Sequence, residues 1–163
     1  MTLRMSQALL VLCIGIYAAL VVFGNITDYG TNYEFVRHVM RMDTIFPEST
    51  ITYRAVDSDA VHGFAYLIII GAESIAAGLC ITGAVKMMRA HISKNHEKFY
   101  RGKRIAIAGL TVGFITWQFI FMSVGGEWFG MWMSHAWNGL SAAFRVSMTI
   151  LGVLIFVSLP SAD

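Results

Sequence analysis

The chain has 163 residues, 56% of them hydrophobic and only 13% charged. Soluble domains carry about 25% charged residues, so this balance excludes an ordinary soluble enzyme and fits a single integral membrane domain. The net charge of +2 says less than the placement of the charges.

The first apolar stretch covers residues 5–24, with Arg4 just before it. A basic start and an apolar run are shared by secretory leaders. No small-x-small cleavage site closes this one, and the run ending at Cys13 is a poor lipobox, so it reads as a spanning helix. The second stretch, residues 60–85, would reach about 39 Å as a helix, beyond a hydrocarbon core of roughly 30 Å. Glu73 stands near its middle, where a charge costs several kcal/mol unless it is paired, protonated or wetted. At helical period, His62, Tyr66, Glu73 and Cys80 form one stripe that other helices must cover. Residues 105–124 and 137–159 make the third and fourth stretches, the last stopped by Pro160. The expected fold is all-α, a four-helix membrane bundle forming a single domain.

The connection at 86–104 carries Lys86, Arg89, Lys94, Lys98, Arg101, Lys103 and Arg104 against a single acid, Glu97. The connection at 25–59 holds more acids than bases, and the third holds no lysine or arginine. Positive-inside asymmetry then places both termini and the basic loop in the cytoplasm and the two other connections on the opposite side, which is the periplasm if the membrane is a Gram-negative bacterial inner membrane. Trp128, Trp132 and Trp137 would form an interfacial belt on the outer side. Within the long outer loop, residues 31–42 alternate with helical period. Tyr33, Phe35, Val36, Val39 and Met40 make an apolar side opposite Glu34, Arg37, His38 and Arg41. The pattern predicts a short amphipathic helix over the outer mouth, either a lipid anchor or a partner's docking face. Residues 43–47 end it at a proline. Asn25 opens a glycosylation sequon, read as chance at a membrane boundary. Small residues at four-residue spacing (Ala72/Ala76, Ser74/Gly78, Gly109/Gly113) suit close helix packing within the chain, or against a second copy or another subunit. Cys13 and Cys80 read as buried thiols rather than a disulfide or a metal site.

Arg145 is the second expensive residue at membrane depth. With Asn138, Ser141, Thr149 and Gly152 it shares a helix face. The expectation is an inward-facing polar seam in which Arg145 bonds Glu127 or Glu73, with Gln118, Thr111 and Tyr66 alongside. Such a seam serves as internal glue or as a proton or ion path centred on Glu73, and glue is preferred. His62 and His135 sit at similar depth near the outer interface and would be the ligands if a haem b were bound. Interfacial hydrogen bonding is the simpler role for them, and no cofactor is expected. His91 and His96 lack a third ligand. No hydrolase triad, phosphate loop or nucleotide motif occurs, so the chain is read as no enzyme and no nucleic-acid binder. The basic loop sets topology and touches lipid headgroups.

Several strings together resemble a known family: NITDYG from Asn25, FVRHV from Phe35, MDTIFP from Met42, GGEWF from Gly125 and WNG from Trp137. They are similar to a bacterial family of predicted small integral membrane proteins, domain of unknown function 2165, over nearly the whole chain. The resemblance implies four membrane helices, no established activity, and an outer face that carries the marked strings. That family more often has glutamine at the position of His135, which counts against haem. The function expected is an accessory or assembly subunit of a larger membrane complex, in contact with lipid and with other subunits or further copies. The alternatives are a proton-coupled or solute transporter using Glu73 and Arg145, then a haem- or quinone-binding anchor.

Overall fold

The computed structural model describes residues 2–160. Its helices are α1 (Leu3–Thr27), α2 (Tyr29–Arg41), α3 (Asp59–Ile92), α4 (His96–Ile115) and α5 (Leu140–Ser158). Between α4 and α5 the chain continues as a π-helix over Thr116–Trp128, then makes a short 3-10 turn at Met131–Met133. A second 3-10 turn, Thr50–Arg54, lies between α2 and α3. Four of the helical segments are long and apolar enough to cross a bilayer: Leu3–Thr27, Asp59–Ile92, His96–Trp128 and Leu140–Ser158.

α3 is the axis. It packs most extensively against α4 and α1, α5 leans on α4 and the π-helix, and α1 and α5 meet only sparsely. The close crossings are made by glycine. A Cβ on Gly83 would lie 2.6 Å from the backbone nitrogen of Ala106, and one on Gly109 would lie 2.7 Å from that of Cys80. Removing the side chain lets two backbones touch where lipid supplies no hydrophobic drive between helices. Gly113 also faces inward, towards Ile150 and Ala76, whereas Ser74 and Gly78 of the small-residue pairs are exposed. Both thiols are free; Cys80 is buried, but Cys13, expected to be buried, is exposed.

The basic stretch expected as a loop over 86–104 is almost all helix. α3 runs to Ile92 and α4 starts at His96, so the turn is 93–95 alone. Lys94 takes a left-handed φ of 51° there, and the Asn95 side chain caps α4 by accepting from the Lys98 backbone N–H at 2.9 Å. The charges interrupt hydropathy without interrupting the buried face, which continues through Ala84, Met87 and Ala90 into Phe99, Gly102 and Ala106. At the same end Thr2 meets His91 at 3.2 Å, and Gln7 and Lys103 donate to the Leu159 carbonyl. The start of α1 and the end of α5 therefore lie together at this basic end.

The opposite end is closed by α2. Val36, Val39 and Met40 are buried against Tyr66, Ile69, Phe129 and Met131. Most of the apolar side of this amphipathic helix thus turns towards its own bundle, with Tyr33 and Phe35 half-buried. Its polar side pairs locally: Arg37 with Glu34 at 3.0 Å, Arg41 with Asp57 at 3.1 Å, and His38 with Asp43 at 2.8 Å. The helix stops at Met42, in the left-handed region with φ 54°. His38 stacks on Trp137 with centroids 4.6 Å apart. Trp128 and Trp132 are half-exposed at this end, where interfacial tryptophans belong.

A candidate site around Glu73

The stripe through α3 is buried: His62 0%, Tyr66 2%, Glu73 1% and Cys80 1% exposed. Glu73 lies about 21 Å along the helix from Asp59, near the middle of the span. The residue that meets it comes from α1. Asn25 donates from Nδ2 to Oε2 of Glu73 at 2.6 Å, and its backbone carbonyl accepts from the Tyr66 hydroxyl at 2.9 Å. One residue at the end of α1 thereby clamps two successive stripe positions of α3. Among the described residues no cation pairs with Glu73, and its Oε1 accepts no hydrogen bond.

The carboxylate lines a cavity of about 240 Å³ with Asn25, Asn32, Tyr17, Tyr66 and Trp117 among its walls. Phe35, Val36, Ile69 and Phe121 also line a second cavity of about 250 Å³, whose lining is wholly apolar and runs between α2, α3 and the π-helix. The π-helix matters here. The π-helix is rare, and its usual form, a single-turn bulge, is frequent at functional sites. The widened turns are visible in the bonds spanning five residues, Ser123 Oγ to the Gln118 carbonyl at 3.2 Å and the Phe129 N–H to the Val124 carbonyl at 3.0 Å. They carry Trp117, Ile120, Phe121 and Val124 to the cavity walls.

Arg145 is elsewhere. It does not bond Glu73 or Glu127; it is exposed, and among the described residues its guanidinium makes no hydrogen bond or ion pair. The whole stripe drawn through Asn138, Ser141, Arg145, Thr149 and Gly152 is exposed, while α5 buries Ala143, Ser147, Ile150 and Val157 instead. The reason is volume: the small and branched residues of the buried face fit against the helix crossings, and a guanidinium there would have displaced them. Arg145 and Thr149 line a groove of about 450 Å³ between α5 and α1, opposite Cys13 and Tyr17. Tyr17 borders both this groove and the Glu73 cavity and lies within electrostatic reach of Glu73 and of Arg145.

The remaining members of the expected seam are scattered. Glu127 is exposed at the end of the π-helix, Thr111 is exposed and bonds back to the Ile107 carbonyl at 2.9 Å, and Gln118 is half-buried. Asn138 is exposed and accepts from the Leu140 N–H at 3.1 Å, at the start of α5. His62 is fully buried, with Nε2 2.8 Å from the Val56 carbonyl oxygen and Nδ1 3.6 Å from Asp59. His135 is exposed against Phe46, and no hydrogen bond or ring contact joins the two histidines among the described residues. Neither lines the Glu73 cavity. No cluster of three or more His, Cys, Asp or Glu suited to a metal occurs among the described residues.

The residue that meets Glu73, Asn25, is not part of the seam expected from the sequence. In the sequence it is marked by opening the NITDYG string and a glycosylation sequon.

Among curated proteins and among solved structures none matches this chain. The family described as "Predicted small integral membrane protein (DUF2165)" matches residues 3–160, and with four apolar spanning helices over that range the chain belongs to this family of small integral membrane proteins.

Proposed function

We propose that the protein is a non-catalytic accessory or assembly subunit of a larger membrane complex, joined to it through α5. The observation that carries this reading is the exposed Arg145 with Asn138, Ser141 and Thr149 on the same outward face. An arginine costs about 2.5–3.5 kcal/mol at the centre of a span by the mildest scale, and less towards an end, where it can snorkel to the headgroups. Arg145 stands about 8 Å along α5 from Leu140, and no described residue answers its charge. The complementary partner is a membrane helix that places a carboxylate at this depth, seated in the groove between α1 and α5. Supporting this, the apolar window of α1 is only 17% buried within the chain, which leaves ample surface for a neighbour. The seven basic residues gathered at one end favour a cytoplasmic side there, hence an inner-membrane protein with both termini inside. Purification in gentle detergent tests the reading: a stoichiometric companion should accompany the wild type and Arg145→Lys but not Arg145→Leu. If instead the wild type retains only an anionic lipid that Arg145→Leu loses, the guanidinium serves a phosphate and the subunit reading fails.

A second reading has its own observation. Glu73 is a buried carboxylate in a cavity with a neutral amide as its partner, an arrangement suited to taking up and releasing a proton or cation. It supports proton-coupled solute transport centred on Glu73, with Arg145 outside the path. Uptake into proteoliposomes driven by a pH gradient, and abolished in Glu73→Gln, is the result expected from it.

A further inference from the structure

We propose that the Glu73 cavity is a binding site for an organic ammonium cation carried on an apolar body; this rests on the second reading above and names its ligand class. Three features of the cavity converge on that chemistry. The first is charge. Glu73 is 1% exposed, its Oε2 is held by Asn25, and its Oε1 has no donor among the described residues. A carboxylate at mid-membrane depth is neutralised by a proton or answered by a counter-charge, and Arg145, the cation nearest in the expected seam, lies across Tyr17 in a different groove. The second is the wall. Tyr17, Phe35, Tyr66, Trp117 and Phe121 surround the cavity, and aromatic faces attract a desolvated ammonium through their quadrupoles. The third is the neighbouring space. Sharing Phe35, Val36, Ile69 and Phe121 with it is a second cavity of about 250 Å³ without a polar lining. It offers room for the ligand's apolar portion, and the two spaces together fall within the roughly 300–1,000 Å³ usual for small-molecule sites. An anionic ligand would be repelled by the carboxylate and a neutral one would gain no charge pairing from it; a hydrated inorganic ion would leave the apolar space unused.

The test uses the full chain in lipid nanodiscs, with 2-phenylethylamine (an ammonium ion at neutral pH) and 2-phenylethanol, its neutral isostere, as probes. Binding is followed by titration calorimetry and by Trp117 fluorescence against a Trp117→Phe control. The amine should bind at least tenfold more tightly than the alcohol, and Glu73→Gln should remove that preference. Because Glu73→Gln also alters the Asn25 bond, Ile69→Trp serves as a second variant: it fills the shared wall, leaves the carboxylate in place, and should weaken the amine by a similar factor. Equal binding of amine and alcohol, no binding of the amine, or undiminished binding in Glu73→Gln overturns the proposal. Proteoliposome uptake separates the two levels. Amine binding without pH-driven uptake retains the site and removes transport; pH-driven uptake without amine binding retains transport and removes this ligand.

Discussion

Asn25 and Glu73 are joined by a 2.6 Å hydrogen bond, and this contact ties the end of α1 to the middle of α3. The same asparagine accepts from Tyr66, two turns away on α3. A hydrogen bond contributes about 0.5–1.5 kcal/mol, rising to about 1.5–3 kcal/mol when one partner is charged. Asn25→Ala should therefore destabilise the bundle by that order, leaving the carboxylate without its donor. In a Glu73→Leu background the same change should cost much less, because contacting partners are coupled. Unfolding titrations of the four proteins measure the coupling; strictly additive effects would show that the two residues do not act on each other.

The α3–α4 crossing makes a sharper steric prediction. Gly83→Val places new atoms against the Ala106 backbone, from which a Cβ alone would stand 2.6 Å. Backbone cannot yield as a flexible side chain does, so a loss of about 1–3 kcal/mol or more is expected. Gly78→Val is the control, since no atom lies within 4 Å of its added Cβ. Detergent melting temperatures should fall for the first variant and stay level for the second.

Docking of α2 rests on its apolar face. Val39→Asp puts a carboxylate among Tyr66, Ile69 and Phe129 and should release the helix, raising amide exchange across Tyr29–Arg41 while α3 stays protected. Arg41→Ala breaks only a partly exposed pair with Asp57, a type of contact worth about 0–1 kcal/mol. It should leave exchange nearly unchanged. Equal effects from the two variants would mean that the ion pairs hold the helix.

Much of this fold is legible in the sequence, because the bilayer demands long apolar runs and α2 announces itself by period. The ends are less so. Lys86 and Arg89 look like a loop to hydropathy, yet Met87 and Ala90 keep the buried face going. The π-helix has no comparable signature: its geometry is set by how Trp117 and Phe121 fit between neighbouring helices. For the site, spacing alone aligns His62, Tyr66, Glu73 and Cys80 on one face. What meets Glu73 is decided by tertiary packing, and a short amide from α1 reaches it where a charged side chain from α5 does not. The stripe through Arg145 was legible as polar, but its direction was not. Periodicity says which residues share a face and leaves open whether that face turns inward or towards a neighbour.

The outward direction of Arg145 is what the proposed role depends on, so the decisive measurement is native mass spectrometry of the protein released gently from its membrane. The wild type should fly with a second membrane protein in fixed ratio, and Arg145→Leu should fly alone. A wild type that is itself a lone chain, with the same mass distribution as the variant, would contradict the account.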